Sequence, residues 1–118
     1  MPLLGGLNLC AVLAMGHFLC DFGLQGDRMA RDKCPGQRAS PGWGWWLASH
    51  GAIHGLAVAL FTGQPLLGLA EWAIHCLIDM GKCRRWYNLA TDQGLHLLCK
   101  VLWVLLVLQL GRLPGWLK

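Results

Sequence analysis

At 118 residues the chain has room for one domain and no separate catalytic module. Its composition is 55% hydrophobic and 14% charged, with seven Trp and a mean hydropathy of +0.43, which excludes an ordinary soluble domain with its typical ~25% charged residues. A net charge of +4 and a pI near 8.9 would suit nucleic acid, but the placement of the basic residues argues for membrane topology instead, so no nucleic-acid partner is expected.

Apolar residues fall in four blocks of membrane-spanning length, about 3–24, 43–62, 65–82 and 92–110. Each is interrupted by His, Asp, Glu or Lys. The expected fold is all-α, a four-helix transmembrane bundle forming a single integral membrane domain over 1–118, with the lipid bilayer as its partner.

The first span opens with Pro2 and lacks the basic start of a signal peptide. His17 and Asp21 lie four apart near its end, and Gln25 continues their stripe. Residues 26–42 contain Pro35, Gly36, Pro41 and Gly42 and read as a loop with little structure. Trp43, Trp45 and Trp46 then mark an interfacial belt. The second span carries His50 and His54. Gly51 and Gly55 follow them in a small-xxx-small pattern that suits close helix packing and would also draw ligands from different helices together. Pro65 opens the third span, whose Glu71, His75 and Asp79 share one helical stripe. Thr91 or Asp92 is expected to cap the fourth, which presents Asp92, His96 and Lys100 on one face.

Arg28, Arg31, Lys33 and Arg38 lie in one connection and Lys82, Arg84 and Arg85 in another, against only Arg112 and Lys118 on the opposite side. The positive-inside rule then places loops 26–42 and 82–91 in the cytoplasm and both termini outside, in a multi-pass protein of the inner (cytoplasmic) membrane. Cys34 and Cys83, in those loops, are expected to stay reduced. Cys10, Cys20, Cys76 and Cys99 read as small hydrophobes within spans, and no CxxC suggests a thiolate metal site.

Among eleven His, Asp and Glu residues, chance gives roughly one pair separated by four. The sequence has five: His17/Asp21, His50/His54, Glu71/His75, His75/Asp79 and Asp92/His96. Helical rise puts most of these at one level, in the cytoplasmic half of the bundle. His17, Asp21, His50, His54, His75, Asp79, Asp92 and His96 are therefore candidate ligands of a divalent metal centre. Zn is the first expectation and Mn or Fe the alternatives, with two metals favoured and one the minimum. The antiparallel register brings Glu71 and Lys100 to the same depth, either as a structural ion pair or as a catalytic pair in which Lys100 holds Glu71 ionised as a base. A metal-free network of His–carboxylate hydrogen bonds and a proton or metal conduction path are the competing readings.

The segments His17-x-x-x-Asp21-Phe22-x-Leu24-Gln25, His75-x-x-Ile78-Asp79-x-x-Lys82 and Asp92-Gln93-x-x-His96, together with the His50/His54 pair, resemble the signature of a domain-of-unknown-function family. Its members are small integral membrane proteins of bacteria and phages. The resemblance implies a multi-span protein with polar helix faces and supplies no reaction. A looser similarity to membrane-bound metal-dependent hydrolases is weakened by the lack of their His-Arg-Gly-x-x-His-Ser segment.

Three functions follow as expectations. The first is a metal-dependent hydrolase acting on a lipid or another membrane-embedded substrate, with metal-activated water, Glu71 or an uncoordinated Asp as base, and Arg28, Lys82, Arg84 or Arg85 attracting a phosphorylated headgroup. The second is a di-iron oxidase or desaturase, although the HxxHH boxes of such enzymes are missing. The third is a metal or proton transporter, or a non-enzymatic membrane effector, for which a homo-oligomer would supply more spans.

Overall fold

The computed structural model describes residues 2–117, which are all-helical, with no strand among them. α1 (Pro2–Phe18) runs directly into a π-helical turn over Leu19–Gly23, where the Leu24 N–H donates to the Leu19 carbonyl at 2.8 Å. α2 is short (Asp27–Asp32). α3 (Trp43–Thr62), α4 (Pro65–Cys83) and α5 (Leu89–Gln109) are long, and a 3-10 turn over Gly115–Leu117 follows.

Local chemistry sets the boundaries. Gly63 ends α3 in the left-handed conformation (φ 69°) that a Cβ disfavours, and Pro65 occupies the start of α4, where its missing N–H costs nothing. Asn88 caps α5, its side-chain oxygen accepting from the Thr91 N–H at 2.8 Å. The expected cap, Thr91 or Asp92, therefore lies inside the first turn, and Asp92 is free to turn inward.

α3 and α4 form the most intimate pair. A Cβ on Gly55 would fall 2.6 Å from the Gly68 carbonyl oxygen, and one on Gly68 would meet the Ala59 Cβ and the Gly55 carbonyl oxygen, each at 2.6 Å. Only glycine permits this backbone approach. The glycine stripe thus packs the helices, and in doing so sets the His50/His54 face of α3 against the His75 face of α4.

The interior is divided along its length. Leu9, Leu13, Val58, Trp103, Val104 and Val107 form an apolar cluster, and the histidines and carboxylates of the four long helices fill the other part. The outer surface is apolar, with Leu7, Leu60, Leu66, Leu69, Leu98 and Leu105 all exposed. Charged groups inside and leucines outside reverse the arrangement of a water-soluble bundle.

Two helical stretches, Pro2–Gly23 and Leu89–Gln109, are long and apolar enough to cross a membrane. α3 and α4, at 20 and 19 residues, are not among them. The four spans expected from block length reduce by this measure to two, because His50, His54, Glu71, Asp79 and Lys82 dilute the apolar character of the other two helices.

The expectation of little structure over 26–42 is corrected for Asp27–Asp32, which form α2. Asp32, at the end of α2, is buried and accepts from Arg28 Nε at 3.2 Å and Arg31 Nε at 2.9 Å; the Arg31 guanidinium beside it holds its carboxyl below the usual carboxylate range. Cys34 and Cys83 are not separate thiols. Their Cα atoms lie 5.3 Å apart and they form a disulfide across 49 residues, tying the end of this segment to the end of α4. Spacing along the chain could not reveal a pairing created by α2 folding back over the bundle.

Candidate metal centre

Each long helix delivers its polar residues at four-residue spacing to one buried chamber. His17, Asp21, His50, His54, Glu71, His75, Asp79, Asp92, His96 and Lys100 all line it, and none is more than 6% exposed. Bulk water scarcely reaches these groups, so they must satisfy one another, a ligand or enclosed water.

His75 is at the centre. Its ring stacks on His54 at 3.7 Å and on His96 at 4.2 Å between centroids, with His50 at 5.0 Å. Asp21, carried by the π-helical turn, faces this group: its Oδ1 lies 3.1 Å from His50 Nε2, 3.3 Å from His54 Nε2 and 3.9 Å from His75 Nε2. A π-helical turn widens the helix by a residue and re-aims its side chains, a distortion often found at functional sites.

Three sets of ligand atoms fall within 4.8 Å of one another: Asp21 with His50, His54 and His75; Asp21 with Asp92 and His96; and Glu71 with His75 and His96. Within the first, His54 Nε2 and both ring nitrogens of His75 are buried without a hydrogen-bond partner, and in the second so is Asp92 Oδ1. Buried polar atoms rarely go unpaired. Two imidazoles and a carboxylate left without aligned partners, in sets whose ligand atoms lie within 4.8 Å of one another, could hold a divalent cation.

The remaining candidates are placed differently. His17 lies in the chamber but its Nε2 pairs with Gln93 Oε1 at 2.8 Å, and it joins none of the three sets. Asp79 likewise stands outside them: Oδ2 accepts from Lys33 Nζ at 2.5 Å and Oδ1 lies 3.1 Å from His96 Nε2. Glu71 sits at the inner end of the chamber, where Oε1 accepts from Lys100 Nζ at 2.5 Å and Oε2 from Trp103 Nε1 at 2.6 Å. The antiparallel register of α4 and α5 does bring Lys100 beside Glu71, as helical rise requires.

Two residues of the chamber escaped the sequence reading. Lys33 reads in the sequence only as a loop cation, since no periodicity distinguishes it, yet it is buried on Asp79. Gln93 donates through Nε2 to Asp21 Oδ2 at 2.6 Å and to Asp92 Oδ2 at 3.1 Å, bridging α1 and α5. Its place in the Asp92-Gln93-x-x-His96 segment was the available signal.

A cavity of about 180 Å³ opens beside the chamber at the end of the bundle bearing Arg84 and Arg85. Asp21, Asp79, Asp92 and Gln93 form its polar wall, Phe22 and Leu89 its apolar one, and Lys33 and Lys82 supply positive charge.

Residues 9–113 match the family described as "Protein of unknown function (DUF3307)", and the chain belongs to that family. Comparison with curated proteins and with solved structures gives no match.

Proposed function

We propose that this member of the DUF3307 family is an integral membrane protein whose four long helices all span the bilayer, and that it is a metal-dependent hydrolase with a divalent metal centre in its chamber. The apolar outer surface supports the first part. α3 and α4 spend their polar residues inward, so their lipid-facing sides remain apolar although their average hydropathy is modest. The seven cations of loops 26–42 and 82–91 favour a cytoplasmic location for the mouth of the chamber in the inner membrane.

The observation that carries the metal centre is the Asp21–His50–His54–His75 set with its unpaired nitrogens. Three imidazoles and one carboxylate match the preference of zinc for four N/O ligands; manganese and iron accept the same types. Asp21 belongs also to the set containing Asp92 and His96, so these three residues would hold a second ion. A bound divalent ion supplies Lewis acidity, lowering the pKa of water and stabilising a developing oxyanion.

The chain's own groups do the rest. Asp79 lines the cavity outside both sets with Lys33 on its Oδ2, and a water that takes the place of that ammonium group would pass it a proton. Glu71, which does not line the cavity, serves in this reading to orient His75, whose Nδ1 lies 3.5 Å from Oε1, and Lys100 holds Glu71 in place. Leu89 and Phe22 present an apolar edge at the cavity for a membrane-associated substrate.

Elemental analysis of protein purified in detergent without chelator tests this reading. It should hold at least one zinc, manganese or iron ion per chain, and Asp21→Ala should hold none. Metal-free wild-type protein that remains folded would sink the proposal.

A further inference from the structure

The charges enclosed in the chamber bear on the substrate, an inference that rests on the metal-centre reading. Among the described residues, Asp21, Glu71, Asp79 and Asp92 bring four formal negative charges into the chamber, while the buried Asp32 lies outside it on Arg28 and Arg31. Lys33 and Lys100 bring two positive ones, and the imidazoles count as neutral, the form that binds metal. Uncompensated charge in an interior with little access to water is disfavoured. The deficit of two negative charges is what one divalent ion cancels. A second ion at Asp21–Asp92–His96 would leave two positive charges in excess.

The cavity adjoins that second set. It borders Asp92, Gln93 and Asp21 directly, carries the ammonium groups of Lys33 and Lys82 in its wall, and has several times the ~30 Å³ that one water molecule occupies. A phosphate monoester carries between one and a half and about two negative charges near neutral pH. A phosphodiester brings only one, and carboxylic esters and peptide bonds are neutral at the reacting group.

We propose that the second ion enters the Asp21–Asp92–His96 set only together with a phosphomonoester dianion in this cavity, so that the substrate completes the two-metal centre and the bond hydrolysed is a phosphomonoester. Water adds to phosphorus as the bond to the leaving oxygen breaks. One proton of the water passes to Asp79 and is returned to the leaving oxygen, and the products are an alcohol and inorganic phosphate. Binding of ion and dianion are thermodynamically linked, each raising the affinity for the other.

Counting bound ions tests this without any turnover. Above the second pKa of methylphosphonate, wild-type protein in detergent is equilibrated with zinc, alone, with methylphosphonate (there a dianion that cannot be hydrolysed) or with methylsulfonate (a monoanion), and bound zinc per chain is measured. A parallel set uses phosphatidylcholine vesicles with and without phosphatidic acid. One ion is expected alone, with methylsulfonate and in plain vesicles, and two with methylphosphonate or phosphatidic acid. A rise with phosphatidic acid only identifies the dianion as lipid-borne; a rise with both identifies the phosphate group alone as sufficient. Asp92→Asn, with its helicity checked by circular dichroism, should stay at one ion throughout. Two ions without a dianion, or one in the presence of both dianions, would overturn the inference while leaving the metal centre standing. No ion under any condition would overturn both.

Discussion

Lys100 Nζ lies 2.5 Å from Glu71 Oε1 at the inner end of the chamber, and Trp103 Nε1 donates to the other carboxylate oxygen at 2.6 Å. Both charges are almost wholly removed from solvent. Losing one partner of such a pair strands the other, at a cost of about 3–5 kcal/mol, whereas replacing both by neutral groups of similar size is often close to neutral. Lys100→Met should therefore destabilise the protein strongly in a detergent unfolding assay, and adding Glu71→Gln should restore most of the loss, because Gln still accepts from Trp103. A double variant no more stable than the single one would show that the pair is not a closed electrostatic unit.

His17 and His54 sit in the same chamber but carry different expectations. His54 Nε2 is unpaired and belongs to the Asp21–His50–His75 set, whereas His17 Nε2 is paired with Gln93. His54→Ala should lower bound metal by at least tenfold at limiting metal. His17→Ala should leave metal content unchanged and reduce stability by about 1–3 kcal/mol through the stranded Gln93 oxygen. Equal loss of metal in the two variants would contradict the assignment.

The glycines of α3 and α5 differ in the same way. At Gly55 an added Cβ would strike the Gly68 carbonyl, which is backbone and cannot swing aside, while nothing lies within 4 Å of a Cβ at Gly94. Gly55→Ala should cost about 1–3 kcal/mol by forcing α3 and α4 apart. Gly94→Ala should be stabilising by about 0.5–1 kcal/mol, since alanine is the better helix former. Thermal unfolding followed by circular dichroism reads both.

Cys34 and Cys83 are close enough to bond, whereas the seven cations beside them favour the cytoplasmic side, where thiols stay reduced. Orientation during insertion follows the charge, so the disulfide of the structure is expected to be one that cytoplasmic reductants hold open in living cells and that closes on air oxidation of the purified protein. Membrane-impermeant maleimide should fail to label either cysteine in intact spheroplasts and label both after permeabilisation. A bond already closed in freshly lysed cells would instead place the mouth of the chamber on the oxidising side.

How much of this was legible beforehand differs from residue to residue. The four-residue spacing of His17/Asp21, His50/His54, Glu71/His75/Asp79 and Asp92/His96 is a property of the chain, and any helix built on it must present each set on one face. The convergence of those faces, and the meeting of Glu71 with Lys100, followed from antiparallel packing at 1.5 Å per residue. Helix ends set by Pro65 and Gly63 are local in the same sense.

What lay beyond the sequence depended on contacts between distant segments. Lys33 reached Asp79 only because α2 folds back over the bundle and Cys34 meets Cys83 there. The separation of His17 and Asp79 from the candidate ligand sets depended on which hydrogen-bond partners, Gln93 and Lys33, packing brought within reach. Periodicity specifies a direction around a helix, so the composition of each polar face was determined by the sequence itself. Only the tertiary structure decides which of those polar atoms are paired and which are left open, because pairing depends on distances of a few ångströms between segments that the chain leaves tens of residues apart.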